Sequence, residues 1–213
     1  MSRGPTARLF VALELPEEVR DALAGWARGI ARARGAASAT GAGWRGELRA
    51  LPAENLHLTL CFLGSRPVAE IDALASALAP CADHCCELSL GAPVWLPPRQ
   101  PRALAVEARD GSGELERMQR ELERALQELS DWQPQRRRFR AHITVARIRG
   151  RPPRARRARS GEQDGGGEGE GAAIELVTPP LSFMPEALTL YRSSLLPSGA
   201  EYEALASSAL APA

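Results

Sequence analysis

The chain has 213 residues, 44% of them hydrophobic, and a formal net charge of +1. That size and apolar content suit one large domain or two small lobes with a buried core, and the small net charge excludes a protein that finds its partner through a strong global field. All 27 basic positions are arginine, so the absence of lysine excludes a P-loop lysine, a Schiff base and a lysyl-nucleotide intermediate.

Residues Arg8 to Leu13 alternate into a short strand. This apolar run is far too short to cross a bilayer, and no basic-then-apolar leader precedes it, so a cytoplasmic location is expected. Pro16-Glu17-Glu18 opens a helix, with proline and acids in the first turn, that should reach about Arg32. A Gly/Ala/Ser stretch from Gly35 to Gly46 reads as a loop, and extended segments follow at Glu47–Leu51 and Leu56–Leu63, the second ending at Gly64. Pro67 to Leu78 reads as a helix whose buried face carries Ile71, Leu74, Ala75 and Leu78.

Cys81, His84, Cys85 and Cys86 cluster, with Cys61 apart. The cluster has no second Cys-x2-4-Cys or His-x3-5-His half, so the cysteines are read as reduced thiols, no metal is expected, and His84 is read as a surface or helix-end residue. Strands are expected at Cys86–Leu90 and Arg102–Ala108, around a turn rich in proline. The clearest helix carries Leu115, Met118, Leu122, Leu126 and Leu129 on one side, with Ser112 placed to cap it. Arg136 to Arg140 lead into an apolar strand, Ala141–Ile148. From Arg149 to Gly171 the composition turns to Arg/Pro and then Gly/Glu, which predicts a disordered insert. Extended segments at Ile174–Val177 and Ala187–Tyr191, a turn at Pro197-Ser198-Gly199 and a last segment from Tyr202 complete an α+β chain with largely antiparallel sheets.

The informative feature is His57-Leu58-Thr59-Leu60 and its echo His142-Ile143-Thr144-Val145. Strand side chains alternate, so His57 and Thr59 share one face while Leu58, Leu60 and Phe62 take the other. The second strand repeats the pattern, with His142 and Thr144 opposite Ile143 and Val145. Two such strands could line a wet groove above a core. Opening a cyclic phosphodiester needs a base for water, an acid for the departing ribose oxygen and donors for the phosphoryl oxygens. Two imidazoles can supply the first two and the threonine hydroxyls the third, with no metal and no cofactor.

The same residues and their flanks resemble the 2H phosphoesterases, and among them the bacterial RNA 2′,3′-cyclic phosphodiesterases formerly called 2′-5′ RNA ligases. Arg8–Pro16 is similar to the family's first strand, Pro52–Gly64 to its first motif, Phe139–Arg147 to its second, and Leu190–Leu195 with Tyr202 to its closing hairpin. Ala141 stands where the family usually has proline and Ala50 where tryptophan is common.

The resemblance implies one bilobal domain over residues 1–213, two pseudo-symmetric lobes of antiparallel sheet with helices outside, a central cleft, and the insert at 149–171. It implies hydrolysis of RNA 2′,3′-cyclic phosphate ends to 2′-phosphates by His57 and His142, with Thr59 and Thr144 binding phosphate. Pseudo-symmetry permits either acid–base assignment, and we take His57 as the leaving-group acid and His142 as the base. Arg147 would hold phosphate or base, although alternation puts it opposite His142 unless a bulge brings it round. Phe139 would stack a base or pack in the core. RNA with cyclic phosphate ends is the expected partner of a monomeric enzyme. The alternatives are a noncatalytic RNA or nucleotide binding module and a 2′-5′ phosphodiesterase or 2′-5′ joining activity on the same scaffold.

Overall fold

The computed structural model describes residues 4–39, 47–82, 86–136, 138–149, 176–196 and 199–210. In chain order the elements are strand β1 (Thr6–Glu14), helix α1 (Glu17–Ala39), β2 (Glu47–Ala50), β3 (His57–Pro67), helices α2 (Ile71–Ser76) and α3 (Leu78–Cys81), β4 (Leu88–Leu96), β5 (Ala103–Asp110), helix α4 (Glu114–Leu129), β6 (His142–Arg149), β7 (Ser182–Phe183), β8 (Ala187–Leu196) and β9 (Gly199–Ala209). The expected insert falls almost wholly outside the described residues, as do His84 and Cys85.

All nine strands join one sheet in the order β7-β4-β5-β6-β3-β1-β8-β9, with β2 also paired to β6. Every pairing is antiparallel. One pairing shapes the molecule: β3 meets β6 at a single residue pair, Leu58 opposite Ile143. Beyond it β3 continues along β1, while β6 continues along β2 and β5. The sheet therefore forks at the middle residues of the two His-x-Thr motifs. Helix α1 packs against β2 and β6, and α2, α3 and α4 pack against β3, β8 and β9.

Alternation decides what the strands bury. Leu9, Val11 and Leu13 of β1, Leu58 of β3, Leu104 and Val106 of β5, Ile143 of β6, and Leu188 and Leu190 of β8 are all inaccessible to solvent. Helix α4 adds Leu115, Met118, Leu122 and Leu126 at three- and four-residue steps. Leu129, expected on that stripe, is exposed.

Several boundaries differ from the expectation for physical reasons. Helix α1 runs on to Ala39, because the alanine-rich stretch around Gly35 offsets the cost of that glycine. The helix expected over 67–78 divides into a 3-10 turn at Val68–Glu70, α2 and α3. Pro80 has no N–H to donate to Ser76, the residue where α2 ends. Ser112 caps α4 only in part: the N–H of Leu115 donates to Asp110 Oδ2 at 2.8 Å, that of Glu114 to Ser112 Oγ at 3.3 Å, and Gly113, with φ of 81°, takes the cap position. Strand β3 does not stop at Gly64 but passes through it, with φ of 72°, to Pro67. Leu176 and Val177, expected to be extended, lie in no strand; the Val177 carbonyl accepts from Trp26 Nε1 at 2.7 Å.

Candidate active site

Each motif histidine opens its strand, His57 at the start of β3 and His142 at the start of β6. The two flank the Leu58–Ile143 pair, so the fork brings both to one groove of about 1020 Å³ together with Thr59, Thr144 and Arg147. Each imidazole is held in the same way. His57 Nδ1 lies 3.0 Å from the carbonyl oxygen of Asn55, and His142 Nδ1 lies 2.7 Å from that of Arg140, in each case two residues back. A carbonyl only accepts, so Nδ1 carries the proton and Nε2 is left for chemistry in both rings.

The placement of Arg147 rests on a β-bulge. In the β5–β6 register Ala146 faces Leu104 and Thr144 faces Ala105, leaving Val145 as an extra residue. Val145 and Ala146 are consecutive and both buried, so alternation is reset and Arg147 emerges on the histidine side. Strand β3 does the same at the same offset. Cys61 faces Val11 and Thr59 faces Ala12, so Leu60 is extra, and Leu60 and Cys61 are both buried. This overturns the expectation for Phe62: five residues after its histidine, like Arg147, it is half exposed and lines the groove.

The environments of the two histidines differ. Phe10 stacks on His57 with ring centroids 4.9 Å apart, Tyr202 meets it edge-on at 5.1 Å, and Tyr191 lies at 6.1 Å. This aromatic cage strips water from His57 and lowers its pKa to about 4, an effect that Arg147 and His142 reinforce and the Asn55 carbonyl opposes. Behind the cage, Glu14 Oε1 accepts from Thr189 Oγ1 at 2.6 Å and from Tyr191 Oη at 3.0 Å. Burial and that carboxylate push the Tyr191 phenol up, so it stays a donor.

The groove wall is basic. Arg8, Arg49, Arg147 and Arg149 line it, against Glu54 and Glu201. Arg49 sits directly opposite Arg147 across β2 and β6. Phe139 does not line this groove; it is half-buried against the core beside a neighbouring one. Among the described residues no group of three or more His, Cys, Asp or Glu could hold a metal ion, and Cys61, Cys81 and Cys86 are buried and form no disulfide.

Asn55 does more than supply a carbonyl. Its side-chain Nδ2 donates to the Ala200 carbonyl of β9 at 3.2 Å, which ties the residue holding His57 to the strand that carries Tyr202. For Asn55→Ala, kcat should fall by about one order of magnitude through imidazole misplacement, with KM and the melting temperature little changed. A kcat equal to that of the wild type would remove Asn55 from the positioning of His57.

Sequence reasoning missed the cage, gave Asn55 no role and put Phe62 on the opposite face. Phe10, Tyr191 and Tyr202 come from three strands whose adjacency is tertiary, whereas Phe62 was lost to an unseen bulge.

An RNA 2′,3′-cyclic phosphodiesterase of Aeropyrum pernix is 33% identical over 124 residues, which span 57% of this chain and 66% of that relative. The crystal structure of TT0787 of Thermus thermophilus superposes with a TM-score of 0.68 at 27% identity, covering 95% of this chain and 97% of that one. E. coli LigT complexed with 3′-AMP gives 0.67 at 24% identity, covering 98% and 100%. Residues 19–195 match the model of the 2′-5′ RNA ligase superfamily. With its two His-x-Thr strands on one groove, the chain belongs to the 2′-5′ RNA ligase superfamily of 2H phosphoesterases.

Proposed function

We propose that this protein hydrolyses RNA 2′,3′-cyclic phosphate ends to 2′-phosphates by metal-independent catalysis with two histidines. The observation that carries the reading is the groove itself: two imidazoles of the same tautomer, two strand threonines and a basic wall converge on a space that suits a phosphodiester. The name of the A. pernix relative supports the choice of substrate. The reading treats the chain as one bilobal domain whose halves are the two arms of the sheet, working as a cytoplasmic monomer.

Water attacks phosphorus as the P–O3′ bond breaks. One histidine takes the water proton at Nε2, and the other gives its Nε2 proton to O3′. Because the cage keeps His57 neutral, His57 is the base and His142 the acid, the reverse of the assignment taken from sequence. Thr59 and Thr144 donate to the nonbridging oxygens and Arg147 balances their charge. The product keeps phosphate on O2′ and leaves a free 3′-hydroxyl.

The test is incubation of the pure protein with EDTA and a short RNA ending in a 2′,3′-cyclic phosphate. Conversion to the 2′-phosphate is expected. RNA recovered with its cyclic end intact would reject the proposal, and tight binding without turnover would favour the noncatalytic module instead.

A further inference from the structure

The histidine groove is not closed at His142. A second groove of about 1390 Å³ adjoins it there, and His142 lines both. Trp95 of β4, Arg109 of β5, and Arg138, Phe139 and Arg140 of the segment before β6 line the second groove. We propose that it binds the nucleotides preceding the cyclic end of a single-stranded RNA, so that the enzyme reads a chain end rather than an isolated nucleotide. The inference rests on the function proposed above.

Continuity is the first argument. A substrate whose terminal phosphate sits between His57 and His142 has to carry the rest of its chain away from the site. The second groove begins at one of those two residues, and Arg140, which lines it, also holds His142 Nδ1 through its carbonyl. The second argument is chemical. Sequence-independent binding of single-stranded RNA combines cations that follow the phosphates with aromatic faces on which bases stack. Arg109, Arg138 and Arg140 supply the first and half-buried Phe139 the second.

The groove also holds acids, and each is engaged. Glu107 lies 3.8 Å from Arg109, Glu116 lies 3.7 Å from Arg138, and Asp110 caps α4. Both ion pairs are long and at least partly solvent-exposed, of the kind worth roughly 0–1 kcal/mol, so a phosphate can replace the carboxylates. Arg109 is further placed by Gly91 of β4: a Cβ there would lie 2.7 Å from Arg109 Nε, so the bare backbone gives the guanidinium room to lie along the strand pair.

The experiment compares a nucleoside 2′,3′-cyclic phosphate with a tetranucleotide ending in the same cyclic nucleotide, for the wild type and an Arg109→Ala/Arg138→Ala double variant. For the wild type, KM should be lower for the tetranucleotide by about tenfold at low salt, with kcat unchanged. The double variant should raise that KM to near the mononucleotide value and leave mononucleotide kcat/KM within about twofold, since it lacks only groups that meet upstream nucleotides. Fluorescence anisotropy of labelled tetranucleotide with a noncyclic 2′-phosphate end reads the same groove without turnover. Its log Kd against log salt slope should fall by about 1.4 in the double variant. Equal KM for the two substrates, or a tetranucleotide advantage that survives the double substitution, overturns the proposal. Tight, arginine-dependent tetranucleotide binding without hydrolysis of either substrate would instead uphold the groove and reject the catalytic reading.

Discussion

His57→Ala and His142→Ala are each expected to lower kcat by roughly two to four orders of magnitude, the usual worth of a positioned general acid or base. Thermal melts should separate this loss from misfolding, because neither side chain belongs to the apolar core. The pH dependence then distinguishes the two roles. The pKa of His57 is lowered to about 4 by burial in its cage, Arg147 and His142 add to that effect, and Glu14 lies opposite it on β1. A base must be neutral, so if His57 is the base, kcat/KM should hold as pH falls through 6.5 and decline only below about 4. If His57 were the acid, the active form would carry its proton, and kcat/KM would already decline as pH rises above about 4. Opening the cage with Tyr202→Ala should move the acid limb toward higher pH, since water would again solvate the imidazolium. A profile of wild-type kcat/KM that falls from pH 4 upward would reverse the assignment.

Thr59→Val and Thr144→Val should each cost about two orders of magnitude in kcat, the scale of losing one donor to a developing oxyanion. Valine keeps the branched shape that suits a strand and removes only the hydroxyl. Both threonines are partly exposed in the groove, so the fold should tolerate the change. The diagnostic is a loss in kcat larger than any rise in KM, because a donor that strengthens in the transition state acts there more than on bound substrate. Activity retained in either variant would mean that the phosphoryl oxygens find their donors elsewhere, with the Arg147 guanidinium as the first alternative.

Much of this was legible in the sequence, for reasons that depend on locality. The strands around Arg8–Leu13, Leu56–Leu63 and Ala141–Ile148, and the amphipathic helix through Met118 and Leu122, follow from period-two and period-3.6 patterning within single segments. The two His-x-Thr motifs stood out because the pattern repeats. What escaped depends on partners distant in sequence. The bulges at Leu60 and Val145 exist only against Val11–Ala12 and Leu104–Ala105, and strict alternation therefore put Phe62 on the wrong face. The depressed pKa of His57 needs aromatic rings from β1, β8 and β9, and no local pattern around Leu56 announces them. Phe139 stands two residues from the Ala141 that precedes His142, yet the start of β6 turns it toward a different groove.

The pair Leu58–Ile143 has a mechanical meaning. Among the described residues it is the one rung between the two arms of the sheet, and it sits between the histidines. A small rotation of one arm against the other about that rung would move distant walls, such as Arg8 and Arg149, much farther than it moves His57 and His142, because displacement grows with distance from a pivot.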